Sequence, residues 1–301
     1  MKNLPNPNWS LSRRRFLLSA CIGGTLAKFT AKAASQTRMP PPPKIIDVNV
    51  NLSRWPLRRI RYDDTAALAG MLNQKGVTQA WASTFDALLH KDLGSVNARL
   101  ADECRRYGRR ILLPFGSINP KSPDWEEELR RCSEEYQMIG IRLYPNYHGY
   151  KLDDPEFLKL LRLATDRHLI VQVALLMEDE RMMHPLLRVQ QVDATPLSGV
   201  VKEVPGARVV LLNATGKLSG SSLRDLTNAG QVFVEIAMLE GVGGISNLLK
   251  QVPAHRILFG SHAPLFYFDS ALLKLKESPL DSNPLQQICR DNAERLTKKP
   301  S

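Results

Sequence analysis

Leu169-Ile170-Val171-Gln172-Val173-Ala174-Leu175-Leu176 is apolar throughout except for Gln172. A strand with one wet face alternates polar and apolar residues. A run without that alternation reads as a strand covered on both faces, as in a parallel sheet flanked by helices. The same pattern recurs upstream in Ile111-Leu112-Leu113-Pro114-Phe115. Downstream it returns in Ala207-Arg208-Val209-Val210-Leu211-Leu212 and Arg256-Ile257-Leu258-Phe259-Gly260. Strand candidates fall at 44–50, 76–83, 110–117, 138–144, 169–176, 207–213, 231–238 and 256–261. Amphipathic helical stretches lie between them, including 63–74, 93–107, 124–136 and 154–166. Asp124 and Asp154 stand where a helix start takes an acid, and Gly76 and Gly108 follow helix ends. Eight strands alternating with helices over about 260 residues match an α/β fold of the (β/α)8 TIM-barrel type. An open doubly wound sheet is the alternative, but no glycine-rich dinucleotide fingerprint follows the first strand.

Composition narrows the function classes. The chain has 301 residues, 43% hydrophobic and 24% charged, which excludes wholesale disorder and a fibrous protein. No uncharged apolar stretch reaches the roughly 18 residues of a membrane span, and no block repeats along the chain. The net charge of +11 is unevenly placed: residues 1–33 hold Lys2, Arg13, Arg14, Arg15, Lys28 and Lys32 and no acid. Beyond them, 35 bases face 30 acids, and no basic run with interleaved aromatics remains. Nucleic acid is therefore not an expected partner.

Ser12-Arg13-Arg14-Arg15-Phe16-Leu17-Leu18, followed by a mildly apolar stretch and Ala31-Lys32-Ala33, resembles a twin-arginine export signal cleaved after Ala33. That resemblance implies the twin-arginine export machinery as a partner of the precursor and a periplasmic or secreted mature protein. Leu18-Ser19-Ala20-Cys21 also looks like a lipobox, but only five residues separate Arg15 from Cys21, which is short for that signal. Residues 34–43 read as a linker stiffened by Pro40–Pro43, leaving 44–301 as a single domain. Cys104, Cys132 and Cys289 show no metal-ligand spacing. A Cys104–Cys132 bridge is conceivable in an oxidising compartment, while three unpaired thiols on helices is the favoured reading.

Several segments in order resemble the amidohydrolase superfamily, specifically its second amidohydrolase-related family. They are Ile45-Ile46-Asp47-Val48-Asn49-Val50-Asn51, Val96-Asn97-Ala98-Arg99-Leu100-Ala101 and Pro114-Phe115-Gly116-Ser117-Ile118-Asn119-Pro120. Gly140-Ile141-Arg142-Leu143-Tyr144-Pro145, Arg256-Ile257-Leu258-Phe259-Gly260-Ser261 and Asn292-Ala293-Glu294-Arg295-Leu296 complete the set. The resemblance implies a (β/α)8 barrel with hydrolase, lactonase or decarboxylase chemistry. It breaks at the metal ligands. The family's strand-1 His-x-His is Asn49-Val50-Asn51 here. Its strand-5 histidine falls on or beside Ala174, its strand-6 histidine on Asn213, and its strand-8 aspartate on His262. Asparagine amides are weak ligands and alanine is none, so no metal cofactor is expected and the metal-bound hydroxide does not carry over.

Catalytic groups in such barrels come from the C-terminal ends of strands and the loops after them. His90, His148, His184 and His262 fall there, whereas His168 and His255 precede strands. The loop after strand 5 adds Glu178, Asp179, Glu180 and Arg181 beside His184; Glu180 reads as solvated. A carboxylate next to an imidazole suits general acid–base chemistry. Arg142 could clamp a substrate carboxylate, or equally neutralise the barrel's own acids. Arg54, Arg58, Arg59 and Arg61 around Trp55 would suit an anionic or sugar-like ligand. Glu235 is a candidate partner for His262, and Asn49, Asn51, Asn213 and His148 could orient a polar ligand or water.

Two function classes follow. The first is an exported hydrolase opening a lactone or cleaving a small polar substrate without metal. His262 and His184 would carry protons, Glu178 or Asp179 would orient them, and Arg142 would hold an anion. The second is a non-catalytic barrel that kept its polar mouth and binds a small molecule. A rearranged metal site built from Glu178, His184 and His262 matches no ligand spacing and ranks last.

Overall fold

The eight apolar runs pair in chain order into one parallel sheet. The strands are β1 (Ile45–Leu52), β2 (Val77–Thr84), β3 (Leu112–Gly116), β4 (Gly140–Leu143), β5 (Ile170–Ala174), β6 (Arg208–Leu212), β7 (Gln231–Glu235) and β8 (Ile257–Leu258). A computed structural model describes residues 44–108, 111–216 and 218–298. The expected signal over 1–33, with Cys21, and the linker over 34–43 lie outside the described residues. Val48 N donates to Phe259 O (2.9 Å) and Asn51 N to Ala263 O (2.8 Å). These bonds return the sheet from beyond β8 to β1, and the barrel is nearly closed.

Helices α1 (Thr65–Gln74), α2 (Leu93–Tyr107), α3 (Trp125–Glu134), α4 (Pro145–His148), α5 (Pro155–Asp166), α6 (Leu197–Glu203), α7 (Gly220–Asn228), α8 (Gly244–Leu249), α9 (Phe268–Glu277), α10 (Ser282–Gln286) and α11 (Asn292–Thr297) follow in order. Their apolar faces meet the outer face of the sheet, where Leu68, Leu72, Leu100, Leu129, Leu160 and Leu161 pack on Ala80, Ile141, Val171 and Val209. A second apolar cluster fills the interior with Ile46, Val48, Trp81, Phe115, Ile170, Val210, Phe233 and Leu258; Trp81 and Phe115 stack with centroids 5.0 Å apart. The interior is thus packed like that of other barrels of this type, with no pore.

The sequence rules for helix starts hold for some acids and fail for others. Asp64 and Asp92 cap α1 and α2, accepting from Ala67 N (2.9 Å) and Ser95 N (3.0 Å). Asp124 stands at the start of α3 in a left-handed conformation without a side-chain cap. Asp154 precedes α5, but its carboxylate faces Lys121 (3.0 Å) and Lys151 N (3.2 Å). Cys104, Cys132 and Cys289 are buried and free, so the conceivable Cys104–Cys132 bridge is not made. Among the described residues no helix is long and apolar enough to cross a membrane.

Candidate functional site

The polar residues that interrupt the barrel's apolar strands converge. Arg142 on β4 projects into the interior, and β4 pairs with β5 so that Arg142 sits beside Gln172. Its Nε donates to Gln172 Oε1 (2.8 Å). One terminal nitrogen donates to Val50 O (3.0 Å) and Asn51 Oδ1 (2.9 Å), the other to Trp81 O (3.0 Å) and Val48 O (3.3 Å). A guanidinium has five N–H bonds, and all five are used inside the barrel. Burial alone pushes its pKa down, and the charges of Tyr144, Asp47 and Glu235 push back. The Tyr144 hydroxyl lies beside Ser83 and Arg142 without a hydrogen bond of good geometry.

From Arg142 the network runs on. Asn51 Nδ2 lies 3.3 Å from His262 Nδ1, and His262 Nε2 lies 2.7 Å from Met177 O. A carbonyl only accepts, so Nε2 carries the proton and Nδ1 accepts from Asn51. His262 is fully buried, and burial holds its pKa down at about 4 with the nearby Arg142 charge adding to the effect. The imidazole is therefore neutral at pH 7. Asn49 Nδ2 donates to Asn213 Oδ1 (2.9 Å) and Glu235 Oε1 (3.3 Å). Asn213 donates from its backbone to Glu235 Oε1 (2.6 Å) and from Nδ2 to Leu176 O (2.6 Å). Burial raises the pKa of Glu235. Asn213 and His262 both sit at positive φ, 59° and 57°, conformations that non-glycine residues adopt rarely and that concentrate at functional sites. A register slip in β1 between Asp47 and Val50 is a bulge next to the same centre.

The expectations for individual residues divide accordingly. Asn49, Asn51, Asn213, Glu235, Arg142 and His262 do meet. Arg142, however, has no N–H left for a substrate, so its expected role as an anion clamp is corrected: it is spent on backbone and amide acceptors. Glu235 reaches Asn49 and Asn213, not His262. His184 is corrected too. It is exposed in the loop after β5, where its Nδ1 accepts from Leu186 N (3.2 Å). Asp179 starts the short turn Glu180–Met182 and pairs with Arg181, leaving Glu180 exposed as expected. Glu178 is buried and ion-paired to Arg58 (2.7 Å), which straps the loop after β5 to the loop after β1. Trp55 cannot stack on a ligand, being buried edge-on against Phe85 at 5.1 Å, while Arg54 is exposed. His148 is half-buried at the end of α4 with Nε2 2.9 Å from Ala87 O, and burial lowers its pKa.

Two groups escaped sequence reasoning. Asp47 is fully buried and accepts from Asn49 N (3.0 Å), Ser261 N (3.0 Å) and Ser261 Oγ, joining β1 to the chain after β8. Burial raises its pKa to about 7, with Glu235 contributing. An acid inside Ile45-Ile46-Asp47-Val48 was the available signal, as was Gln172 inside its apolar run. The second is Lys274 on α9. It lines a pocket of about 590 Å³ above β5–β8, with Leu176, Met238, Leu239 and Phe266 on its apolar side and Asp179, Glu180, Arg181 and Glu240 on its charged side. Its Nζ donates to Ala237 O (2.6 Å), and burial lowers its pKa. The Phe266 ring stands edge-on to His262 at 5.2 Å, so this pocket abuts the polar centre.

The donor set can be tested against a divalent metal at the family's position. Asn51 Oδ1 is held by Arg142, Asn213 Oδ1 by Asn49, and His262 Nδ1 by Asn51. No set of free lone pairs converges, and a guanidinium stands in hydrogen-bond contact with Asn51, one of the five positions. These residues do not fit a divalent ion. Among the described residues, no cluster of three His, Cys, Asp or Glu could hold one.

Fold and centre together define a (β/α)8 barrel whose polar residues gather at the C-terminal ends of its strands. The amidohydrolase family pattern matches residues 49–297, and the chain belongs to that family. Among solved structures it is similar to 2,6-dihydroxybenzoate decarboxylase from Rhizobium (15% identity, TM-score 0.64, 85% of this chain and 98% of that one). It is also similar to manganese-bound 5-carboxyvanillate decarboxylase from Novosphingobium aromaticivorans (12%, 0.66, 84% and 96%). A manganese-bound dihydroxybenzoic acid decarboxylase from a Polaromonas species matches comparably (13%, 0.66, 85% and 97%). At such identities the likeness is one of fold. No curated protein matches the chain.

Proposed function

We propose that this amidohydrolase-family barrel is a binding protein for a small molecule carrying a carboxylate, exported by the twin-arginine route. The observation that carries this reading is the self-sufficiency of the centre. Every N–H of Arg142 and both nitrogens of His262 are engaged internally, and the second proton carrier, His184, faces solvent. A proton shuttle needs a group that reaches the reacting atom and titrates near the working pH. His262 is fully buried and holds its proton on the Met177 carbonyl. The pocket beside it has an apolar wall of Leu176, Met238, Leu239 and Phe266 and a charged rim of Asp179, Glu180, Arg181 and Glu240, and its candidate anchor for a carboxylate is the Lys274 ammonium, with one of its three N–H bonds on Ala237 O. The neighbouring folds act on dihydroxybenzoate and carboxyvanillate, which are small carboxylates and consistent with that ligand class.

Calorimetric titration of the exported protein with hydroxybenzoates and sugar acids tests the proposal. Binding in the micromolar range is expected, weakened about tenfold or more by Lys274→Met. His262→Asn should leave the affinity within a few-fold. The metal-independent hydrolase is the competing reading. Turnover of a sugar lactone by the wild-type chain, abolished in His262→Asn, would establish it instead.

A further inference from the structure

The amidohydrolase centre of this chain still has a cation, but the cation is a side chain. We propose that Arg142 is a tethered replacement for the family's divalent ion: its guanidinium supplies the positive charge of the barrel centre and excludes a metal from it. Three observations converge. The guanidinium is fully buried and bonded to Asn51, one of the two β1 residues that stand where the family has His-x-His. Asn51 passes the contact to His262, which stands at the family's β8 aspartate position, so the two altered ligand positions are wired to Arg142 in series. The remaining acceptors of Arg142 are Gln172 Oε1 on β5 and the carbonyls of Val48, Val50 and Trp81, which fix it between β1, β2 and β5.

Charge accounts for why the replacement is consistent. Asp47 and Glu235 are both fully buried beside the centre and both act electrostatically on Arg142. A buried acid pair without cationic charge nearby would be costly; the Lys274 ammonium acts on Glu235, and a metal would ordinarily supply further compensation. With a guanidinium already present, a dication would meet a like charge at close range in a medium of low polarity. The neutral amides at 49, 51 and 213 then follow as partners suited to hydrogen bonding with a guanidinium and one another, not to metal ligation. The inference is independent of which ligand the neighbouring pocket takes.

Restoring ligands with and without the arginine separates exclusion from mere ligand loss. The chain carrying Asn49→His, Asn51→His and His262→Asp would be compared with the same chain also carrying Arg142→Met. Each is dialysed against zinc or manganese, checked for folding by near-ultraviolet circular dichroism, and analysed for bound metal. Less than a tenth of an equivalent is expected with Arg142 present and close to one equivalent without it. One equivalent in the folded triple variant overturns the proposal, as does none in a folded quadruple variant. Single variants and the wild-type chain answer even if those chains do not fold. Arg142→Lys, which keeps the charge, should melt several degrees above Arg142→Met; equal or reversed melting temperatures reject a need for the cation. Stoichiometric metal that resists dialysis in the wild-type full chain also overturns it.

Discussion

His262 and Asp47 lie in the same centre with pKa values displaced in opposite directions, and this fixes how stability should respond to pH. The folded-state value of His262, about 4, lies below its ordinary 6.5. Between those values the unfolded chain binds a proton that the folded chain does not. Its contribution is therefore complete above pH 6.5 and is lost as pH falls through 4. Asp47 is raised from 3.8 to about 7, so the folded chain keeps a proton that the unfolded chain has released. That contribution is complete below pH 3.8 and is lost as pH rises through 7; the raised Glu235 acts in the same direction. Over pH 4–6.5 the histidine and acid slopes oppose one another. His262→Asn should expose the acid slope, with a melting temperature that falls steadily from pH 4 to 7. Asp47→Asn removes one of the two acid slopes and leaves that of Glu235, so its melting temperature should fall less with pH than that of His262→Asn. Melting curves across that range decide the matter: a wild-type-like profile in both variants would mean that neither group is displaced as described.

At the scale of elements, the apolar runs and the helix periodicity made most of the barrel legible, because burial on both faces is written directly into residue type. Ile170–Ala174 and Arg208–Leu212 fall within their expected runs, and α2 matches its expected limits of 93–107. What was not legible is where polar side chains point. Residues 177–184 follow an expected strand, but nothing local shows that Glu178 turns inward to Arg58 while His184 turns out. Asp124 and Asp154 show the same limit, since a cap depends on backbone angle and competing partners as well as on residue type. Contacts between elements, by contrast, are strong enough to predict energetics. Asn97 on α2 is buried and exchanges two hydrogen bonds with Ser117, accepting from its N–H (2.7 Å) and donating to its carbonyl (3.0 Å). Asn97→Ala orphans both groups and should cost about 2–4 kcal/mol in urea unfolding. Gly260, just beyond β8, leaves room for the Glu235 carboxylate, into which an added Cβ would run. Gly260→Ala should destabilise by about 1–3 kcal/mol, because Glu235 is held by Asn213 and Ala237 and cannot swing away.

The whole molecule depends on how a parallel barrel closes between one of its two eight-residue strands and its shortest. β1 has eight residues and β8 two, so few ladder bonds are available at the seam. Closure instead borrows from the chain after β8. Besides the Val48 and Asn51 backbone bonds, Asp47 accepts from both the backbone and the hydroxyl of Ser261. The sequence displayed Asp47 and Ser261 as two family-like segments 214 positions apart, and only the closed barrel shows that they are a single latch. The polar centre is therefore a seam as well as a site. Ser261→Ala removes the hydroxyl donor and leaves Asp47 under-satisfied, a loss of about 1–3 kcal/mol. The loss should be local. Hydrogen exchange at Val48, Asn51 and Ala263 should quicken by ten-fold or more. The amides of Val171, Val173, Val209 and Leu211, in the opposite wall, should keep wild-type protection unless global unfolding governs them. Uniform quickening at all these amides would instead mean that the seam opens only with the whole barrel.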